Sequence, residues 1–299
     1  MRLFKRIPGI DSPGRSDFPV LAPGRKSNSL PIRFAGLAGW RPEVKAWHVV
    51  FAVCLFALSV GVAEAQTRVD YGESVFTTLW RWMPLILKGF GVNLLISVVA
   101  MTIGTIAGMM LGLAQVSQLK GVRAISYVIT QFFRNSPWLV LLFFMTLTLP
   151  FEVRIGGTSY IIPDWIKATI GFSLPVMANI SEVVRGAVQS IPFGQWEAAE
   201  SLAFTRRQMM WRIILPQCFK RMLPPWMNWY AILALATPVC FIMGVEESVA
   251  FAKQAIDAED GRPELIGPFY FFVMTLFFIY IYPIGRATVW LEKKFAIKT

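Results

Sequence analysis

The chain has 299 residues, of which 55% are hydrophobic and only 16% charged, a composition that excludes an ordinary soluble domain and points to a protein that crosses the bilayer several times. A net charge of +11 would suit a nucleic-acid groove, but the charges alternate loop by loop, which membrane topology explains and a groove does not require, so no nucleic-acid partner is expected. Three cysteines (Cys54, Cys218, Cys240) without metal or redox spacing, a single histidine (His48) and the lack of any Walker loop, nucleophile elbow or dinucleotide fingerprint leave no expected catalytic site, metal site or cofactor in the chain.

Residues 1–46 are rich in Arg, Lys, Pro, Gly and Ser without helical or alternating apolar period, and read as a disordered basic tail. An apolar run over 47–65 follows, ending Val62-Ala63-Glu64-Ala65-Gln66, where Ala63 and Ala65 match a signal-peptidase site. Its basic leader is much longer than that of a cleaved signal. Two readings therefore stand, an uncleaved signal-anchor helix and a cleavable signal, and in both 66–84 begins outside the cytoplasm. Five further stretches are long enough to cross a core about 30 Å thick at roughly 1.5 Å per residue: 85–114, 124–149, 162–184, 226–244 and 265–284. With the first run they make six.

Lys and Arg set the orientation. Nine precede Trp47, Lys120 and Arg123 mark a turn, Arg206, Arg207, Arg212, Lys220 and Arg221 cluster after the third of the five spans, and Arg286, Lys293, Lys294 and Lys298 lie at the end. By the positive-inside rule these segments are cytoplasmic, including both chain ends if the first helix is uncleaved. The loops 66–84, 151–163 and 245–264 are balanced or acidic and belong outside. The last reads either as a solvated acidic loop or as a contact for an external partner.

Between the third and fourth core spans lies a polar helical hairpin, about 191–217. Ile191-Pro192-Phe193-Gly194 stops the preceding helix. A short helix fits 195–202, and Thr205-x-x-Gln208 predicts a capping box that starts a second. Met209, Met210, Ile213 and Ile214 recur on its apolar side while Arg206, Arg207 and Arg212 stay wet, and Pro216 is expected to end it. Ala198 and Ala199 form a small-residue surface that another backbone can approach, and Glu197 offers that partner a charge.

Glu197-Ala198-Ala199, then Ala203, then Ile213-Ile214-Leu215-Pro216, resemble the EAA loop of ABC importer permeases, whose pattern is Glu-Ala-Ala, a Gly four residues on, and Ile-x-Leu-Pro. The resemblance runs from about Leu85 to the C terminus and is nearest the polar amino acid uptake family. It includes Arg134-Asn135-Ser136-Pro137, similar to that family's Arg-Gly-Thr-Pro, the run from Glu182 through Arg185-Gly186 to Ser190-Ile191-Pro192, Gly194-Gln195, and later Leu215-Pro216-Gln217, Met222-Leu223-Pro224-Pro225 and Asn228. The implied fold is an all-α polytopic membrane protein, five core transmembrane helices of the type I importer permease plus one extra N-terminal hydrophobic helix, in the bacterial cytoplasmic membrane. The implied activity is ATP-driven uptake of polar amino acids by alternating access. ATP and Mg would be bound by separate cytoplasmic ATP-binding subunits, alongside a second permease subunit, identical or different, and an external solute-binding protein. Gly194, Glu197, Ala198, Ala199, Ala203, Leu215 and Pro216 would form the ATPase-coupling loop. Two departures stand out. Ala203 replaces the family's glycine, which argues against a left-handed backbone there. Ala234-Leu235-Ala236-Thr237-Pro238-Val239 stands where the family reads Leu-Lys-x-Thr-Ser-Leu, which predicts a kink at Pro238 and leaves Thr237 alone in register.

Charges inside spans are costly and often functional, so Arg134, Glu182 and Arg185, with the polar Asn228 and Thr237, are candidates for the translocation pathway. For Glu182 and Arg185, three apart on one helix face, the structural alternative is a local pair with Arg185 snorkelling to the interface. For Arg134 it is an anchor near the inner leaflet. Asn93, Asn179 and Asn228 suit hydrogen bonding between helices. Gly104, Gly108 and Gly112 recur every four residues and predict a close helix contact within the subunit or across to its partner. A self-sufficient secondary carrier would instead place ion-coupling acids in discontinuous helices of two related halves, and no such duplication is visible.

Overall fold

The computed structural model describes residues 54–61, 74–155 and 157–295. The basic tail, most of the 47–65 run and its cleavage site lie outside them. Residues 54–61 are helical (α1), and Phe56 stacks on Phe271 with ring centroids 5.4 Å apart. Helices α2 (Val75–Gln115), α3 (Lys120–Asn135) and α4 (Trp138–Thr148) follow, then a two-stranded antiparallel hairpin, β1 (Glu152–Ile155) and β2 (Thr158–Ile161), with Val153 opposite Tyr160. After these come α5 (Asp164–Gln189), α6 (Phe193–Ser201), α7 (Arg206–Met209), a π-helical turn (Met210–Ile214), α8 (Leu215–Ala236), a 3-10 segment (Thr237–Met243), α9 (Ser248–Ala258) and α10 (Pro263–Phe295).

Three helical runs among the described residues, Val75–Gln115, Arg206–Met243 and Pro263–Phe295, are long and apolar enough to cross a bilayer. The expected span over 124–149 is instead two helices bent by 102°. Pro137 has no N–H to continue α3, and it drives the residue before it out of the helical region. Ser136 accordingly sits at φ −78°, ψ 136°. Helix α5 is long enough, about 39 Å at 1.5 Å per residue, yet less apolar, with Lys167, Thr169, Ser173, Asn179 and Ser181 all buried. It packs against α2, α3, α4 and α8, so protein rather than lipid meets these side chains.

Glycine determines how α2 meets α5. A Cβ added at Gly104 would lie 2.5 Å from Val176 Cγ1, at Gly108 2.7 Å from the Met177 carbonyl oxygen, and at Gly112 2.7 Å from the Ser181 carbonyl oxygen. Equal steps of four on both helices mean that they run parallel. The predicted small-residue contact is thus made within the subunit.

Residues 245–264, expected as a loop, contain α9, laid along the first half of α2. Gly89 admits the approach, since a Cβ there would fall 2.6 Å from the backbone of Glu247 and Ser248. Glu247 is fully buried and caps α9, accepting from the N–H groups of Val249 and Ala250 at 3.0 Å. Asn93 Nδ2 donates to Glu247 Oε2 at 2.9 Å and to Thr237 Oγ1 at 3.2 Å, while Asn93 Oδ1 accepts from the Ser248 N–H. This acidic stretch reads as a loop because its charges suggest water, whereas the N-cap and Asn93 supply the donors that a buried carboxylate needs. Arg81 and the Trp82 indole hold Glu259 in the same way at the far end of α9. Pro238 begins 3-10 winding that ends at Gly244, whose φ of 80° is left-handed.

Candidate functional site

The hairpin joins α5 to α8. Helix α5 stops at Gln189, and α6 begins at Phe193, two residues earlier than expected, so that Gly194 lies inside the helix. The predicted capping box at Thr205 is present: its hydroxyl accepts from the Gln208 N–H while Gln208 Oε1 accepts from the Thr205 N–H. Trp196, Ala199, Met209 and Ile214 are buried together with Ala187, Val188 and Ile191 of the α5 end and Cys218 of α8. The Arg206 guanidinium lies over the Trp196 ring, 4.6 Å from its centroid, joining the two legs. Arg221 of α8 donates to the carbonyl and hydroxyl oxygens of Ser190, the C-cap of α5. A cation at a helix C-terminus is favourably placed. Neither arginine contact was predicted, because each depends on chain segments that meet only in the folded hairpin.

Expectations about this loop are overturned at Ala203 and at Pro216. Ala203 does adopt the left-handed conformation, at φ 55°. It occupies the turn position of a Schellman motif: the Ala203 N–H donates to the Glu200 carbonyl at 2.9 Å and the Phe204 N–H to the Ala199 carbonyl at 3.1 Å. Those two bonds, with Phe204 packed into the hairpin core, outweigh a steric cost of about 1–2 kcal/mol. Pro216 does not end the second helix but stands at the start of α8. The turn ahead of it is π-helical, with the Leu215 N–H reaching the Met210 carbonyl. That wider turn accommodates a proline ring that would clash in regular α-helix.

The hairpin's outer surface consists of Gly194, Glu197, Ala198, Leu202 and Ala203, all exposed, with Trp211 and Pro216 beside the π turn and Leu215 half-buried. Leu202 is 71% exposed and Trp211 61%. Ala199, expected on this surface, is 2% exposed and faces the hairpin core instead. Of the two alanines expected there, Ala198 supplies the close-approach position.

The five candidate pathway residues fall in three places. Arg134, Glu182 and Arg185 come together. Glu182 Oε2 lies 3.2 Å from Arg134 Nη1, and the same carboxylate receives Arg185 through both Nε and Nη2. Two guanidinium groups on one carboxylate leave a net positive charge beside the α3–α4 break, with both arginines about one-third exposed. Next to them Gln115 Nε2 donates to Thr130 and Ser181, tying α2, α3 and α5 together. Asn228 stands apart, lining a cavity of about 590 Å³ between α8 and α10 that also includes Arg286 and Glu292. Thr237 is fully buried in the cluster with Asn93 and Glu247. Of the three asparagines, Asn93 joins helices as expected, whereas Asn179 bonds within its own helix, to the Pro175 carbonyl.

Residues 104–291 match the family described as binding-protein-dependent transport system inner membrane component. The probable amino-acid ABC transporter permease YckA of Bacillus subtilis is 37% identical over 57% of this chain and 73% of its own length. The inner membrane amino-acid ABC transporter permease YhdY of Escherichia coli is 30% identical over 84% of this chain, which spans 64% of that relative. Among solved structures, an amino acid ABC transporter crystallised with histidines superposes at a TM-score of 0.63, with 20% identity over 73% of this chain and 98% of that one. The inward-facing MetNI methionine ABC transporter superposes at 0.58, with 19% identity over 72% and 98%. Those two likenesses speak to the fold. With the family match covering most of the chain and both hairpin and helical bundle in place, the chain belongs to the family of inner-membrane permease components of binding-protein-dependent transport systems.

Proposed function

We propose that this chain is the permease subunit of an ATP-driven importer that moves polar amino acids across the cytoplasmic membrane by alternating access. The observation that carries this reading is the hairpin α6–α7. Its inner face is fastened to α5 and α8 through Trp196, Met209 and Ile214, while Glu197, Ala198 and Leu202 face outward and are left exposed by the other described residues. A small rigid element with an exposed acid and an exposed leucine is suited to a cleft on a soluble partner. In this reading the partner is the ATP-binding subunit, which holds ATP and Mg. Basic segments around the hairpin and at the end of α10 support a cytoplasmic position for this side, and in this reading a second permease subunit and an external solute-binding protein complete the assembly. The names of the relatives, amino-acid permeases in both cases, support the cargo class.

The Arg134–Glu182–Arg185 group is the part of the pathway best suited to cargo. A net-positive cluster beside a helix break attracts the carboxylate common to all amino acids, while Glu182 holds the two guanidinium groups side by side. The coupling reading is tested by Glu197→Lys in the transporter reconstituted with its ATP-binding subunits. ATP-dependent uptake is expected to fall about tenfold, the effect of some 1.4 kcal/mol, because the substituted cation opposes whatever donor the partner presents. Undiminished uptake at normal ATPase rate would remove the hairpin from the coupling role.

A further inference from the structure

The cavity of about 590 Å³ between α8 and α10 changes character along its length. Along α2, Tyr230 bonds Ser97 and Trp226 bonds Thr105, so α8 runs against α2. Phe277 packs on Phe90 and Tyr280 bonds Tyr230, so α10 runs with α2 and against α8. On the side of the Tyr230–Tyr280 contact away from the hairpin, the cavity walls are Leu235, Met274 and Phe278, each more than half exposed. On the hairpin side they are Asn228, Arg286 and Glu292, all exposed. The small residues Ala231 and Gly285 leave the space between, and a Cβ added at Gly285 would meet nothing within 4 Å among the described residues.

The apolar span read from the sequence, 265–284, ends just before Arg286, and Lys293 and Lys294 follow. Arg286 therefore stands where hydrocarbon gives way to headgroups. From Met274 to Arg286 the helix rises about 18 Å, close to the roughly 15 Å that one leaflet contributes to the hydrocarbon core. From Arg286 to Glu292 it rises about 9 Å more. Reading toward the basic end, the cavity presents an apolar trough, then a guanidinium and an amide, then a carboxylate. A watery path for polar amino acids is a poor match for large exposed apolar walls, which hydrocarbon accepts without cost.

We propose that this cavity holds one phospholipid whose headgroup carries a phosphate followed by a primary ammonium, as in phosphatidylethanolamine. The order of its groups matches the order of the walls. An acyl chain lies along Leu235, Met274 and Phe278, the phosphate meets the Arg286 guanidinium and the Asn228 amide, and the ammonium reaches Glu292. Acyl chains are in hydrocarbon whether bound or not, so the trough positions the lipid while charge-assisted hydrogen bonds to the headgroup select it. Phosphatidylcholine has the same phosphate but a quaternary nitrogen without N–H, and phosphatidylglycerol has no cation for Glu292. Lys293 and Lys294 attract anionic lipid of any kind, so phosphatidylglycerol is the competitor that surface attraction alone would favour. The site requires only that α8 and α10 lie in the bilayer, and it goes beyond the transport reading without resting on it.

Native mass spectrometry tests the assignment on the full chain, purified with the subunits that accompany it and exchanged into an equimolar mixture of dioleoyl phosphatidylethanolamine, phosphatidylcholine and phosphatidylglycerol. One phosphatidylethanolamine per chain is expected to stay bound, favoured about tenfold over each competitor, the effect of one charge-assisted hydrogen bond. Glu292→Gln is expected to bring phosphatidylethanolamine level with phosphatidylcholine while a lipid is still retained, and Arg286→Gln to lower retention of all three. Gly285→Leu fills the trough where an added Cβ meets nothing, and is expected to release the lipid from a chain that stays monodisperse. Retention of phosphatidylglycerol ahead of phosphatidylethanolamine, an unchanged preference in Glu292→Gln, equal retention by Gly285→Leu, or no retained lipid at all overturns the proposal. Should Gly285→Leu fail to fold, the competition on the unchanged chain and on Glu292→Gln decides. None of these readouts is uptake, so the lipid site can fail while the coupling test with Glu197→Lys succeeds, and the reverse.

Discussion

At Ala203 a methyl group occupies a backbone conformation that glycine adopts without strain. The Schellman bonds from Ala203 and Phe204 hold the turn regardless, so its geometry is decided by hydrogen bonding and the packing of the half-buried Phe204, and the strain is tolerated. Ala203→Gly is therefore expected to stabilise the protein by up to about 1 kcal/mol, the relief of a left-handed alanine less the greater freedom of glycine in the unfolded chain. A thermal-unfolding midpoint that rises by a degree or more would agree, and a fall would show that the methyl makes a contact worth more than the strain. The same scale explains Arg206. It sits in a sequence of exposed arginines, yet its guanidinium covers the buried Trp196 ring, so its role in the hairpin is to join two legs as well as to carry charge.

Among the elements, the contact between α2 and α5 is the least tolerant of change. At Gly108 a Cβ would press on the backbone oxygen of Met177 and the Cβ of Ile180, neither of which can swing aside as a flexible side chain would. Gly108→Val is expected to force the helices apart and to cost about 1–3 kcal/mol as overpacking. Early loss of the fluorescence-detected monodisperse peak on heating in detergent would report this, whereas a Val at Gly186, where nothing lies within 4 Å of an added Cβ, should cost far less. Equal effects at the two positions would mean that the close approach does not support the fold. The π turn at Met210–Ile214 belongs to the same scale. It lets a proline stand where the helix continues, and so turns an expected stop into the start of α8.

Across the whole molecule, the end opposite the hairpin depends on one buried carboxylate. Glu247 joins α9 to α2 and the 3-10 segment through Asn93, and caps α9 besides. Glu247→Ala would leave one N–H of the Asn93 amide and two helix N–H groups without their carboxylate acceptor, at a cost of about 2–3 kcal/mol. Limited proteolysis should then cut first within 245–262, and protection equal to that of the unchanged chain would refute the role. Much of this molecule was legible from residue order alone. The apolar runs, the capping box at Thr205, the hairpin between two long helices and the pairing of Glu182 with Arg185 follow from local chemistry: period, cap and spacing are written along the chain. Which apolar run breaks, whether an acidic stretch is wet or buried, and whether Arg134 reaches Glu182 were decided only by tertiary structure. Those outcomes depend on donors and acceptors brought from distant segments. A charge next to water and a charge next to Asn93 have the same letter, and only the fold distinguishes them.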